Sequence, residues 1–226
     1  MTDKQVIEIS NDYYLKHKQS IDIQNYEGFI RQVIGWRNYV YTKYKLEGET
    51  MYEMNFLKHE NKINTKKWWE GQTGILPIDS IIHKIVKYSY AHHIERLMYL
   101  GNFMLLCQFH PKQIHKMFME WTIDAYDWVM VPNVFGMSQY ADGGKMMTRP
   151  YFSSSNYIHH MSNLKKTKDD KWWEIWDALY YNFIHTHQKL LSKNYATSRQ
   201  VKHWNDKTEN QKKVLLNIAK NYLEQL

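Results

Sequence analysis

The sequence predicts an all-α protein, and three observations carry that expectation. Only 4 prolines and 9 glycines interrupt 226 residues. Apolar residues recur with helical period over long stretches. One segment near the end opens with a capping-box pattern. Taking the elements in order, Phe29, Ile30, Val33, Trp36 and Val40 fall at i, i+1, i+4, i+7 and i+11, an apolar stripe along one helix. Residues 58–67, KHENKINTKK, form a polar connector before Trp68 and Trp69. A long helix is expected from about Asp79 through His92 and His93 to Cys107, with Gly101 as its weak point. Phe109, His110 and Pro111 mark a turn and a new helix start, because proline suits the first helical turn. Residues 162–171 read as a charged loop, and Trp172 to Leu191 as an aromatic-rich helix. The last helix opens at Thr208 with Gln211 three residues on, and carries Val214, Leu215, Ile218, Tyr222 and Leu223 on one face. There is no internal repeat and no low-complexity tract. A chain of this length holds one generous domain, 1–226, with 193–226 as a C-terminal helical extension.

Composition narrows the function classes. Aromatic residues make up 15%, with 9 Trp and 18 Tyr, which supplies a large core and leaves rings for stacking surfaces or electron hopping. A net charge of +7 with pI near 9.2 suits an anionic partner, either nucleic acid or a phosphate-bearing cofactor, and equally a solvated lysine-rich surface. The single cysteine, Cys107, excludes an internal disulfide and a cluster held by cysteines of this chain alone. The N-terminus lacks the apolar run of a secretory signal, and no run reaches membrane-spanning length, so a soluble, intracellular protein without a membrane partner is expected.

Two stretches concentrate chemistry. Residues 88–103 read YSYAHHIERLMYLGNF, and 121–144 read WTIDAYDWVMVPNVFGMSQYADGG. Helical spacing puts His92 and Arg96 on one face, so an imidazole and a guanidinium can share a cavity. Asp124 and Asp127 stand among aromatics, and Asp124 can bring a carboxylate to that cavity. Such a set suits a planar, hydrogen-bonding, redox-active ligand. No metal site is expected: His185 and His187 point to different sides of a helix, and His110, His115, His159 and His160 give no ordered ligand set.

These stretches, with EGFIRQVIGWRNYV (27–40), WWEGQTGILPIDS (68–80) and RPYFSSSNYI (149–158), resemble the C-terminal, FAD-binding half of the photolyase-related proteins. That family is the iron–sulfur bacterial branch of cryptochromes and (6-4) photolyases. The resemblance implies a helical FAD-binding domain and light-driven repair of pyrimidine dimers, above all (6-4) photoproducts, in UV-damaged DNA. It casts His92 and His93 as the proton-transfer pair. Arg96, Asp124, Tyr126, Met130, Asn133 and Met137 fall at cofactor-side positions. Gln32, Trp36 and Arg37 match lesion-side DNA contacts, while Trp69, Tyr151 and Tyr157 match electron-route or cofactor-side aromatics.

The chain also departs from the family's pattern. The places of the four cluster cysteines fall near Pro77, Lys165, Lys168 and Tyr181, so no iron–sulfur cluster is expected. Asn38 follows the Trp-Arg pair where the family usually carries Glu. Met130 stands where an acid or amide faces the reactive flavin nitrogen, and Met117 and Phe118 replace relay aromatics. No antenna domain or phosphate-gripping stretch is matched before Asn25, and no glycine-rich phosphate loop occurs. A separately encoded N-terminal photolyase half is therefore the expected partner for tight FAD binding. The rival readings are a non-catalytic, cryptochrome-like flavin sensor or DNA-binding remnant, and a structural remnant that binds no FAD.

Overall fold

The computed structural model describes residues 1–165, 167 and 170–226. Regular structure among them is helical, with one isolated bridge between Asn61 and Phe109 and no strand, so the all-α expectation holds. In chain order the elements are α1 (Asp3–Lys16), α2 (Ile23–Ile30), π1 (Arg31–Trp36), α3 (Arg37–Tyr52), α4 (Thr65–Trp69) and α5 (Leu76–Tyr88). Then come π2 (Glu95–Gly101), α6 (Asn102–Leu106), α7 (Pro111–Trp121), α8 (Asp127–Val131) and π3 (Pro132–Ser138). The chain ends with α9 (Ser155–His160), α10 (Trp172–Thr186), α11 (Gln188–Leu191), α12 (Tyr195–Asn205) and α13 (Glu209–Gln225). Each π label denotes a wide-turn stretch continuous with an α-helix.

The core forms where α5, α6, α7 and α10 meet. Ile78, Ile81, Ile82 and Ile85 recur at helical spacing on α5 and are buried. Trp68 and Trp121 stack with ring centres 6.2 Å apart, and Phe103 tilts against Trp176 at 4.9 Å. Helix α13 packs along α10 and drives Tyr222 into this core, where its hydroxyl donates to the Thr73 carbonyl at 2.9 Å. Thr73 is itself fixed by Asp79, whose carboxylate accepts from the Thr73 amide at 2.8 Å and hydroxyl at 2.6 Å. The loop within 68–80 is thereby closed onto the start of α5. Residues 193–226 are helical, and Ala219, Trp204 and Tyr222 bury into the main core. The expected capping box at Thr208 is formed: its hydroxyl accepts from the Gln211 amide at 3.3 Å, and its own amide donates to the Gln211 side chain at 3.0 Å.

Two local expectations change. The long helix from Asp79 to Cys107 is interrupted, and not at Gly101. Helix α5 ends at Tyr88, Ser89 adopts a left-handed conformation (φ 52°), and a new helix begins at His93. The Ser89 carbonyl accepts from the Ile123 amide at 3.0 Å, a bond that a continuous helix would have claimed for itself. The stripe on Phe29, Ile30, Val33, Trp36 and Val40 does lie on one helical rod, but only Val40 is buried. Neither α1, α2 nor π1 buries a residue, so this rod lies on the surface.

Of the four places matched to cluster cysteines, Pro77 is buried in the first turn of α5 and Lys165 is exposed. Tyr181 stacks on Trp204 at 6.0 Å beneath the Lys207 ammonium, and Lys168 lies outside the described residues. Cys107 is buried, and burial pushes its thiol well above the ordinary value. Among the described residues no group of three or more His, Cys, Asp or Glu is placed to hold a metal. No described helix is long and apolar enough to cross a membrane.

A histidine pair ties the connector at 58–64 to the end of α10: the Nε2 atoms of His59 and His187 lie 2.9 Å apart. At that distance one ring donates and the other accepts, so the two rings cannot both be protonated. Burial lowers His59 from 6.5 to about 3, helped by His187, and lowers His187 from 6.5 to about 4. Because the folded values lie below the unfolded ones, this contribution is fully present above pH 6.5 and is lost as pH falls toward 4 and below. The expected outcome is a fall in melting temperature of about 5 °C or more between neutral pH and pH about 5. His187→Gln, which keeps a hydrogen-bond partner for His59 but does not titrate, should flatten that dependence.

Candidate flavin-side site

The break after α5 builds the site. His92 precedes the new helix and caps it: its Nδ1 accepts from the Ile94 amide at 3.2 Å, and its own amide donates to Glu95 Oε2 at 2.8 Å. The Glu95 contact is half of a capping box, and the imidazole caps the second helical amide in place of the third. Glu95 also binds Lys84 of α5 through both carboxylate oxygens, at 2.9 and 2.7 Å, which spans the break. Burial pushes the Glu95 carboxyl up, but Lys84 and the His92 amide outweigh it and hold it below its ordinary value.

Arg96 then reaches back and across. Its Nε donates to the Ala91 carbonyl at 2.7 Å, and its NH2 group meets Asp124 at 2.9 and 3.0 Å. Its guanidinium also lies over the Tyr90 ring at 5.2 Å. The Arg96 side chain is 14% exposed and that of Asp124 47%, so this is a cation set in the wall with its carboxylate at the rim.

Behind the pair lies a cavity of about 70 Å³, lined by His93, Arg96, Phe118, Met130, Asn133 and Ser138, with Leu97, Val129 and Val134 filling the apolar gaps. The His93 side chain keeps contact with solvent, yet it is inset enough that burial, then Arg96 and His92, lower its pKa. Asn133 donates to the Val129 carbonyl at 2.8 Å, while its Oδ1 is buried without a partner. Segments π2 and π3 meet closely here. A Cβ on Gly101 would lie 2.2 Å from Ser138 Oγ, so Gly101 is a point of contact between the two cavity walls.

The structure thus brings together His93, Arg96, Met130 and Asn133, with Asp124 paired at the rim. It does not bring the other expected residues to the cavity lining. His92 is exposed and acts as a cap, and Tyr126 is 61% exposed at the start of α8. Met137 belongs to a neighbouring apolar cluster with Val40, Leu97 and Met146, against which Trp36 and Tyr151 pack. Tyr157 packs against the main core. Gln32 is exposed, and Arg37 is paired with Asp3 at 3.1 Å beneath a 5.4 Å contact with Trp128.

Trp69, 39% exposed, meets the buried Trp121 edge-on at 5.9 Å. Trp121 meets Phe118 at 6.2 Å, and Phe118 lines the cavity. An aromatic path from the surface therefore runs through Trp121, which was not singled out from the sequence. The available signal was its i+3 spacing from Phe118 on an aromatic-rich helix.

The chain is 37% identical over 195 residues to a (6-4) photolyase of Agrobacterium fabrum, covering 83% of this chain and 38% of that protein. That match supports the photolyase/cryptochrome family. It spans well under half of the photolyase's length. The chain is also 50% identical over 94 residues to an uncharacterised protein of Acanthamoeba polyphaga mimivirus, covering 41% of this chain and 75% of that protein, and the two belong to one family. No protein-family model matches.

The geometry of His93 yields a direct check. In a titration followed by NMR its imidazole should titrate below the ordinary histidine value of 6.5. Arg96→Ala should move that midpoint up, because a neighbouring cation no longer opposes protonation, but not fully, because burial remains. An unchanged midpoint in Arg96→Ala would place His93 outside the field of the guanidinium.

Proposed function

We propose that this chain is the catalytic region of a photolyase-like flavoprotein acting on UV lesions in DNA, with (6-4) photoproducts as the favoured substrate. The observation that carries the reading is the Arg96–Asp124 pair at the rim of a cavity whose wall holds His93, Met130 and Asn133. A guanidinium, an imidazole and an unpartnered buried amide oxygen suit the polar edge of a flavin ring. When bound, reduced FAD would supply an electron on illumination. The chain's own residues would do the rest. Arg96, held by Ala91 and Asp124, would keep a fixed positive charge beside the ring, and the unpartnered Asn133 Oδ1 would be free to accept a hydrogen bond from it. His93, easier to deprotonate than an ordinary histidine, would hold or release a proton on the side where the lesion enters. His92 would serve that pair less directly, by fixing the turn on which His93 sits. Trp36 and Arg37 would meet the displaced base and its phosphate.

Space limits the cofactor. A cavity of about 70 Å³ has room for a few water molecules, so three fused rings would extend beyond it toward the rim where Asp124 stands. No glycine-rich phosphate loop occurs in the 226 residues, and the lining offers ring-side groups only. We therefore assign the grip on the FAD phosphates to a photolyase-type N-terminal half outside these 226 residues. The small cavity and Met130 also favour the second reading, a non-catalytic flavin sensor or DNA-binding remnant.

Reconstitution tests the first reading. The chain alone should bind FAD weakly, and at least about tenfold more tightly with an N-terminal photolyase half, measured by flavin fluorescence quenching. Arg96→Ala should lose that gain, whereas Met130→Asn should tighten binding by restoring a polar group at the ring. Equal affinity with and without the half would overturn that assignment.

Lesion recognition gives a separate measurement. Trp36→Ala and Arg37→Ala should each lower the preference for lesion-bearing over undamaged duplex about tenfold. Equal losses on both duplexes would reduce these residues to plain backbone contacts. Lesion binding without repair by the reconstituted protein would select the second reading.

A further inference from the structure

The free positive charge of this chain is not on the helix matched to lesion contacts. There Arg31 is paired with Glu27 at 3.1 Å and Arg37 with Asp3 at 3.1 Å. Residues 189–220 instead hold eight basic residues against two acids, a net +6 in a chain of +7. One of those acids, Glu209, is bound by Lys212 at 2.9 Å.

Helix α12 mounts this charge in a fixed direction. Thr197, Val201 and Trp204 are buried, which turns the opposite face outward. That outward face carries Tyr195, Arg199 and Lys202 at i, i+4 and i+7, with Lys193 just ahead of the helix and Lys189 on α11. Tyr195 is 97% exposed, and Lys189, Lys193, Arg199 and Lys202 are exposed with no acidic partner among the described residues. The start of α12 is fixed by Asn194, whose side chain accepts from the Ala196 amide at 2.9 Å and donates to the Thr148 carbonyl at 2.7 Å. Four like charges repel one another, and an uncovered ring gains nothing from packing.

We infer that this α11–α12 face is a second, sequence-independent contact for duplex DNA. Its cations neutralise backbone phosphates, and Tyr195 lies against the sugar–phosphate edge. A membrane surface fits less well, because an interfacial helix inserts a broad apolar face and this stripe offers one tyrosine. The inference rests on the DNA reading above but is tested without FAD, lesion or light.

Binding of the full chain to an undamaged duplex of about 20 base pairs, followed by fluorescence anisotropy across a salt series, decides it. The triple variant Lys193→Gln, Arg199→Gln, Lys202→Gln should weaken binding about tenfold or more at low salt. It should also make the plot of log K against log salt shallower by roughly 2 to 3, close to one unit for each phosphate no longer neutralised. The control triple Lys4→Gln, Lys16→Gln, Lys18→Gln, with the same change in charge, should leave the slope unaltered. Tyr195→Ala should weaken binding a few-fold at constant slope. Should the triple variant melt earlier than the parent, Lys202→Gln alone should still remove about one unit of slope. An unchanged slope, or an equal change in the control triple, overturns the inference. So does a triple variant that loses binding to phosphatidylserine vesicles while keeping it to DNA. Absence of FAD binding or of lesion preference in the reconstituted parent protein would count against the proposed function and leave this result standing.

Discussion

The site depends on one guanidinium. Arg96 binds the Ala91 carbonyl in the gap between two helices and Asp124 in the loop after α7, so a single side chain joins three segments that share no continuous helix. The Ser89 to Ile123 backbone bond runs alongside it and fixes the same two loops. A cation 14% exposed needs such partners, because an unpaired charge there would be strongly disfavoured. The pair is thus structural and chemical together. It closes the gap that lets His93 begin a helix, and it leaves a positive charge in the wall of the cavity.

Two wide helical turns fall where the candidate site does. Segment π2 carries Arg96 and Leu97 and π3 carries Asn133, Val134 and Ser138, all in the cavity lining, whereas π1 contributes none of it. A π turn shifts the side-chain register relative to an α-helix, so residues that α geometry would bury or expose can be re-aimed, which accords with the frequent use of such turns at functional sites. Gly101 lets π2 and π3 approach without a Cβ between them.

Most of the helical architecture was legible in the sequence, because periodic apolar residues and caps are local signals. The capping box at Thr208 and the proline start of α7 are examples. The break at Ser89 was not legible, since serine rarely takes a left-handed conformation and the reason here is tertiary: Ile123 claims the Ser89 carbonyl. That break changes the roles of the histidines. An uninterrupted helix puts His92 and Arg96 on one face, whereas the actual start makes His92 the cap and turns His93 into the cavity wall. The family resemblance put Arg96 and Asp124 on the cofactor side, and their ion pair and its place in the wall follow from long-range contacts that spacing cannot supply. Trp121 gave little signal on its own, because an aromatic next to a core is ordinary until its neighbours are placed.

Under the proposed function, Arg37 raises a question of competition. Its guanidinium is held by Asp3, and one guanidinium cannot serve that carboxylate and a DNA phosphate from the same direction. The contact is half exposed, so it stabilises by about 0–1 kcal/mol and is weakened by salt. Helix α1, which supplies Asp3, buries no residue and is therefore among the least costly elements to displace. A phosphate arriving at π1 would meet an arginine already oriented by Trp128 and would need to displace only a solvent-exposed carboxylate. The cations of α12 face no such competitor. Electrostatic attraction of a duplex would then begin at the C-terminal face, and engagement of Trp36 and Arg37 would follow once α1 gives way.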